Sequence, residues 1–231
     1  TVNTTRGPSW TSASLGNGYF LNQNSGAYEE WTRFMSPEEI GGVQRYKRSW
    51  DDMATAISLG AKGRIPGTAW QYEANYNASI YKSEGHTPRI LSNIDSFFLG
   101  PKLGTDAKGV AIYAPDAARL SRRLTAAEFD SISGYSDSHD KAWTNTLSLA
   151  TNGDLFQLPA GTAKIATIAE ASKQGFSNEP DARIDQGYFN IATGSGTTAG
   201  TRSRYALGAE LNVPLHEKLT GTLAGRYDRY S

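Results

Sequence analysis

The chain has 231 residues with 23 basic and 23 acidic side chains, so its formal net charge is zero and nothing in it indicates a nucleic-acid partner. It contains no cysteine, which excludes a disulfide framework and a thiolate metal site. The mean hydropathy is -0.50, and no stretch approaches the roughly 18 consecutive apolar residues of a membrane helix.

Residues 1–48 form the first predicted loop region, and the capping pattern of Ser36 and Glu39 predicts a short helix within it. The opening "TVNTTRGPSW" lacks the charged start and apolar core of a signal peptide. We therefore expect the chain to be either a mature protein or a piece of a longer one.

The stretch "WQYEANYNASIY", Trp70 to Tyr81, alternates strictly between apolar even positions and polar odd positions. A period of two indicates a strand with one apolar face and one polar face. A strand in a soluble protein has about 5 or 6 residues, whereas a tilted strand that crosses a membrane needs roughly 9 to 11. The length of this alternation therefore favours a membrane-spanning strand, and together with the weaker run at 53–59 it predicts a hairpin over residues 49–82.

Two more hairpins are predicted further along the chain. "WTNTLSLA" from Trp143 and the run Ala163 to Gln174 predict a hairpin over 143–174, although both faces of the second run are fairly apolar and its sides stay unassigned. "SRYALGAELNV" from Ser203 and "LTGTLAGRYDRY" from Leu219 alternate clearly and predict a hairpin over 203–231. The chain thus contains about six long predicted strands.

Short and long connections alternate between these strands. The segments at 83–142 and 175–202 are long, and soluble domains seldom carry structureless loops beyond about 15 residues. Outer-membrane barrels have short turns on the periplasmic side and long loops outside. We therefore predict that 1–48, 83–142 and 175–202 are extracellular loops, and that 83–142 is folded, with a short helix capped by Thr125 and Glu128.

The predicted fold class is all-β, with antiparallel up-and-down strands of a transmembrane β-barrel and long extracellular loops. The apolar positions are predicted to face lipid: Trp70, Tyr72, Tyr76, Ile80, Leu207, Leu211, Leu223 and Tyr227. The polar positions are predicted to face the lumen, where they are candidates for substrate binding: Glu73, Asn75, Asn77, Arg204, Glu210, Arg226 and Asp228.

Four segments carry a family resemblance. The last hairpin, with "YALGAE" followed by "GRYD", resembles a late barrel hairpin of the TonB-dependent outer-membrane receptors. "FFLGPKLG" (97–104), "IYAPDAARLSRRLTAAEF" (112–129) and "GDLFQLPAG" (153–161) are similar to loop and turn segments of the larger proteobacterial members. The resemblance covers residues 70–231 well and 1–69 poorly.

The resemblance implies a receptor in the outer membrane of a Gram-negative bacterium that imports a scarce nutrient, such as an iron chelate, cobalamin, an oligosaccharide or a peptide. Such receptors have a barrel of about 22 strands closed by a plug, on which an inner-membrane TonB complex pulls. This chain has no recognisable plug, so it is expected to be an internal fragment whose partners are outer-membrane lipid, the rest of its barrel and plug, and the nutrient. No cofactor, metal or catalytic residue is expected.

Other interpretations of the sequence remain open at this point. A soluble or surface β-sandwich could bind carbohydrate, for which Trp10, Tyr28 and Trp31 could supply stacking rings, although packing within a folded loop is the default for them. Paired strand carboxylates could support glycoside hydrolysis, the candidates being Glu73, Glu128, Glu170 and Glu210. "SDSHD", Ser136 to Asp140, could bind calcium in the longest predicted loop, whereas the three histidines lack zinc-site spacing.

Overall fold

A computed structural model describes residues 8–12, 16, 18–190, 192, 194 and 196–231. Strands account for 60% of it and helices for 10%, so the prediction of a mostly β fold with antiparallel sheets is confirmed. The chain divides into two compact units. Unit 1 comprises Thr1–Asp51, Glu84–His139 and Glu179–Thr197, and unit 2 comprises Asp52–Ser83, Asp140–Asn178 and Thr198–Ser231.

A six-stranded sheet of unusually long strands makes up unit 2, and the strand ends at 49–51, 84–90, 133–139 and 179 belong to unit 1. The order across the sheet is β12-β11-β10-β9-β6-β5, so strands that follow one another among these six are also neighbours in space. Strands β5 and β12 are its edges. The strand bounds are β5 (Ser49–Arg64), β6 (Gln71–Ile90), β9 (Ser133–Leu158), β10 (Gly161–Glu179), β11 (Thr198–His216) and β12 (Leu219–Tyr230).

Several strands extend beyond the bounds predicted from the alternation. Strand β6 continues to Ile90, past the predicted end at 82, and β9 begins at Ser133, ten residues before the predicted 143. The segment 84–90 contains Gly and Pro and does not alternate, so a local pattern could not reveal it. Strand formation depends on cross-strand partners as much as on intrinsic preference, and the predicted loop bounds 83 and 142 are wrong for that reason.

The register of the last three strands fixes which side chains share a face. Ile165 lies opposite Leu211, and Leu211 lies opposite Leu223, while Ala169, Leu207 and Tyr227 form a second such row. Directly opposed residues project to the same side of a sheet. The odd positions of β10, whose sides the sequence left unassigned, therefore join the apolar side of the last hairpin.

Side-chain contacts extend the same assignment to the first three strands. The hydroxyls of Thr151 and Thr167 are 2.8 Å apart, and the Tyr76 hydroxyl lies 3.2 Å from Asn145 Oδ1. We call the resulting side the apolar face: Ile57, Leu59, Trp70, Tyr72, Tyr76, Ile80, Leu147, Leu149, Ile165, Leu207, Leu211, Leu223 and Tyr227. The opposite side is the polar face: Ser58, Glu73, Asn75, Asn77, Thr146, Glu170, Ser172, Arg204, Glu210, Arg226 and Asp228.

Large rings on the apolar face pack over glycines of the neighbouring strand. A Cβ atom placed on Gly153 would lie 2.5 Å from Cδ2 of Trp70, and one placed on Gly175 would lie 2.8 Å from the indole of Trp143. Tyr72 covers Gly63 in the same way. Aromatic coverage of strand glycines compensates for their missing side chains and pins the register.

Because of this packing, a methyl group added at a ring-covered glycine should lower the stability of the fold more than one added at an uncovered glycine. Gly153→Ala and Gly175→Ala should each lower the free energy of unfolding by about 1 to 3 kcal/mol, because each new Cβ would displace an indole ring. Gly225→Ala is the matched control, since no atom lies within 4 Å of its Cβ position. Urea unfolding checks the difference, and equal effects at all three positions would show that the indoles do not occupy these sites.

Unit 1 contains two small sheets and short helices. Strand β1 pairs with β4 antiparallel, and the second sheet has the order β3-β2-β8-β7, in which β2 and β8 run parallel. A 3-10 helix covers Val43–Tyr46. The remaining bounds are β1 (Ser9–Thr11), β2 (Phe20–Asn22), β3 (Ala27–Glu29), β4 (Thr32–Phe34), α1 (Ile94–Leu99), β7 (Gly104–Thr105), β8 (Ala111–Tyr113), α2 (Ala118–Ser121) and α3 (Ala126–Ile132).

One hydrophobic core holds unit 1 together. Trp10 stacks on Phe98 with ring centroids 4.7 Å apart, and Phe20 meets Tyr113 edge to face. A buried ion pair of Arg33 and Glu39 adjoins this core, and Glu39 also accepts hydrogen bonds from the backbone of Ser36 and Leu124. The buried core residues come from two distant parts of the chain, 10–40 and 90–132: Trp10, Phe20, Met35, Ile40, Ile90, Ile94, Phe98, Leu99, Tyr113, Leu124, Phe129 and Ile132.

The two predicted helix starts have different outcomes. Thr125 and Glu128 form a complete capping box at the start of α3, as predicted. The prediction at Ser36 is wrong: Glu39 caps the Ser36 backbone, but residues 37–41 form only hydrogen-bonded turns. The carboxylate of Glu39 also forms a buried ion pair with Arg33. Gly41, which has a φ of 76°, follows two residues later.

Acid should weaken unit 1 through Glu128. A hydrogen bond from Arg122, followed by one from the Thr125 backbone, lowers the pKa of Glu128 from 4.5 to about 2. A carboxyl whose pKa is lower when folded stabilises the fold above its unfolded pKa, and this stabilisation is lost as the pH falls. The melting temperature of unit 1 should therefore drop between pH 4.5 and 2, and Glu128→Gln should reduce that drop. Glu30→Gln is the control, and an unchanged acid profile in the Glu128 variant would contradict the assignment.

Candidate functional site

The structure places the predicted site residues on two opposite sides of the sheet. The eight positions predicted to face lipid all lie on the apolar face, and the seven predicted lumen positions all lie on the polar face. The polar face is therefore the side on which the candidate substrate-binding groups of unit 2 are brought together.

Four charged side chains form a closed network on the polar face of the last three strands, β10, β11 and β12. Glu170 pairs with Arg204 at 3.3 Å and also with Arg226. Asp228 lies 2.9 Å from Arg226 and 3.9 Å from Arg204. In the register, Ala206 lies directly between Glu170 and Asp228, and its small side chain lets the charged groups converge above it.

This network changes the interpretation of Glu170. The sequence made it a candidate catalytic carboxylate, but in the structure it serves as the partner of two arginines. The ion pairs hold the four side chains in place. Because two positive charges balance two negative charges, the network has little net electric field to attract a charged ligand. Their evident role is to order the polar face.

The other polar candidates also bond to one another. Asn75 donates to Glu73 at 2.9 Å, and Ser58 donates to Asn77 at 2.7 Å. Asn212 donates to Glu210 at 2.9 Å and accepts from Thr222 at 2.6 Å. Neighbouring side chains thus satisfy much of the hydrogen-bonding capacity along the strands, which favours a stiff polar surface.

A cavity interrupts the polar face near the end of the sheet that lies away from the short turns. Tyr81 of β6 and Phe176 of β10 form two of its sides, and Ala142 of β9 lies between the strands that carry them. Arg202 of β11 lines the cavity as well. The sequence did not indicate this group, because 142, 176 and 202 all fall in predicted loops and the residues around them do not alternate between apolar and polar.

The segment considered for calcium binding is not a loop. Residues Ser136–Asp140 lie within β9. Asp137 contacts Nδ1 of His86 at 2.6 Å, and the imidazole stacks on Tyr135 at 4.0 Å between centroids. In the described part of the chain, no group of three acidic, histidine or cysteine residues is arranged to hold a metal ion.

An ion pair of unit 1 adjoins these residues. Asp181 binds Arg183 at 2.6 Å and accepts a hydrogen bond from the Asp137 backbone at 3.0 Å, so the pKa of Asp181 is held well below its usual range, chiefly by Arg183. Arg183 also donates to the backbone carbonyl of Tyr135 at 2.8 Å. These bonds tie the segment around residue 181 to the start of β9 and serve a structural purpose.

The aromatic residues considered for carbohydrate stacking separate into two groups. Trp10 is buried and donates to Asp95 at 2.5 Å, and Trp31 packs against the core. Tyr28 is exposed, donates to Asp106 at 2.6 Å and meets Tyr19 edge to face. Two of the three rings therefore stabilise unit 1, and only Tyr28 has a face available to a ligand.

Comparisons of the chain with protein-family models, curated proteins and solved structures give no match. Within the residues that the structure describes, no helix has the length and apolar character needed to cross a membrane.

Proposed function

We propose that this chain contributes part of the wall of an outer-membrane receptor of the TonB-dependent kind, which imports a scarce nutrient. The observation that carries the proposal is the two-sided sheet, whose apolar face exposes large apolar side chains on β5, β6, β9, β11 and β12. Leu207 and Leu223 are 63% and 73% accessible to solvent. Soluble monomers rarely expose contiguous apolar patches larger than a few hundred Å², and lipid is the environment that such a face fits.

Strand length supports the same function. Each of the six strands has between 12 and 26 residues, which meets or exceeds the roughly 9 to 11 needed to cross a bilayer at a tilt. The polar face, with its ordered charges and amides, suits the aqueous lumen of a barrel. An ordinary sandwich would instead bury one face of strands about 5 to 6 residues long.

The proposal requires further strands beside both edges. Strands β5 and β12 each have one partner in the sheet, and unpaired backbone groups in lipid cost several kcal/mol each. In a receptor with about 22 strands, the rest of the barrel pairs with these edges. A plug within that barrel receives the pull of the inner-membrane TonB complex, and the long connections that make up unit 1 are the external loops.

Localisation tests the proposal directly. The protein should be found in the outer-membrane fraction of a Gram-negative host, should resist extraction by high salt and alkali, and should need detergent to stay in solution. A β-sandwich that binds carbohydrate at the cell surface is the competing function, for which Tyr28 is the exposed ring among the three considered from the sequence. Recovery from the aqueous fraction as a monodisperse species without detergent would reject the receptor in favour of that module.

A further inference from the structure

We infer that the cavity on the polar face is a binding site for a flat apolar group that carries an anionic substituent, such as an aromatic carboxylate. We call it the β9 cleft: Ala142, Tyr81, Phe176, Gln174 and Arg202. The inference rests on the proposed function, because it names the chemical class of the imported molecule.

Two aromatic side chains stand on opposite sides of the β9 cleft. Strands β6 and β10 flank β9, so the backbones that carry Tyr81 and Phe176 are separated by two strand spacings, about 10 Å. The methyl group of Ala142 leaves the space between them unfilled. A flat ring can lie over Ala142 in this space and contact an aromatic side chain at carbon distances of about 3.5 to 4 Å.

Both rings are held away from β9 by contacts within the sheet. The hydroxyl of Tyr81 donates to Asp52 of β5 at 2.8 Å. Phe176 leans over Gly200 of β11, where a Cβ atom would lie 3.1 Å from the ring. Because these contacts exist without a ligand, the cleft is open in advance, and a ligand need not spend binding energy on opening it.

Arg202 supplies the charge that the cleft offers to a ligand. On the same face, Arg204 and Arg226 are each paired with Glu170 and Asp228. Arg202 makes no ion pair within the described residues. Its guanidinium lies 5.2 Å from the ring centre of Tyr230, which restrains it while its N–H groups stay available. A free guanidinium prefers carboxylate, which it binds with two parallel hydrogen bonds.

Gln174 adds a neutral hydrogen-bonding group beside this charge. It lies directly opposite Arg202 in the register of β10 and β11. Its amide can donate and accept, so it suits a second polar substituent on the same ligand. The cleft therefore combines two apolar walls, one cation and one amide, the mixture typical of small-molecule sites.

Titration of the purified full-length protein with naphthalene-2-carboxylate tests this site. Wild-type protein should bind this probe more tightly than naphthalene-2-carboxamide, which lacks the charge, and cyclohexanecarboxylate, which is not flat. Arg202→Gln should weaken binding of the carboxylate about tenfold and leave the amide unaffected, because a charge-assisted bond is lost. Phe176→Leu should weaken both flat probes several-fold. Arg229→Gln, on the opposite face, and Phe156→Leu, outside the cleft, are the matched controls.

The results distinguish failure of the β9 cleft as a binding site from failure of the proposed receptor function. Undetectable binding of the probe, or equal binding by Arg202→Gln, Phe176→Leu and the controls, would overturn the β9 cleft even if the protein inserts into membranes. Selective loss in the two cleft variants would support it. Binding by protein that needs no detergent or lipid would leave the cleft as a ligand site and reject the receptor.

Discussion

Leu223→Arg should destabilise the folded protein in a bilayer by about 2 to 4 kcal/mol if the position lies near the midplane, and by less near an interface. Leu223 lies opposite Leu211 on the apolar face and is 73% exposed. In a soluble protein, replacing so exposed a side chain usually changes stability by no more than about 0.5 kcal/mol. A large cost therefore arises only if this face meets lipid, and unfolding in lipid vesicles by denaturant measures it.

Ala224→Arg is the control for this substitution. Residue 224 is adjacent in the same strand, and its side chain projects to the polar face opposite Glu210. An arginine there should be tolerated, because it meets water in the lumen and a neighbouring carboxylate. If both variants were equally stable, or if the variant at 224 were the weaker one, the assignment of the two faces to lipid and lumen would be wrong.

The sheet could be predicted from the sequence because its signal is local. Alternation over Trp70 to Tyr81 and over the last hairpin depends only on the two-residue repeat of a strand, and the structure separates the apolar and polar positions of both segments onto two sides of the sheet. The pattern failed in β10, where Ala166 and Ile168 make the polar face locally apolar. Cross-strand pairing with β11 resolves that strand, and such pairing is not visible within a single segment.

Unit 1 could not be derived in the same way. Two predicted loop regions, far apart in the chain, contribute to one core in which Trp10 meets Phe98 and Ile90 belongs to the same cluster. The backbone of Asn190 donates to Ile90 at 2.8 Å, and that of Ser92 donates to Tyr188 at 3.0 Å. These contacts join residues about 100 positions apart in the chain. Hydrophobic periodicity is a property of windows of about 11 to 18 residues, so it carries no information about such contacts.

The residues of the β9 cleft could not be predicted from the sequence for the same reason. Tyr81 was recognised as part of a strand, but Ala142, Phe176 and Arg202 lie just outside the bounds of the predicted strands and inside the observed ones. Their residue types are unremarkable, and only the neighbouring positions of β6, β9, β10 and β11 bring them together. The pairing of Arg204 and Arg226 was equally hidden, so the sequence could not single out Arg202 among the arginines of the polar face.

Phe98→Ala should unfold unit 1 while leaving in place the part of the six-stranded sheet that belongs to unit 2. Phe98 is fully buried, stacks on Trp10 and lies beneath the guanidinium of Arg33 at 5.8 Å. Removing a buried phenyl ring costs about 3 to 5 kcal/mol, which is a large share of the stability of a small unit. The fluorescence of Trp10 and the rate of proteolysis between 92 and 132 should both change, whereas protease resistance of the strands in unit 2 should not.

Phe34→Ala is the matched control, because Phe34 is also in unit 1 but is 71% exposed. It should leave the proteolysis rate and the fluorescence close to those of the parent chain. The chain divides into two compact units, and the paired residues of the β11–β12 hairpin all belong to unit 2. Loss of unit 2 together with unit 1 in Phe98→Ala would therefore contradict the independence of the sheet, and it would mean that the buried core of unit 1 is required for the strands to pair.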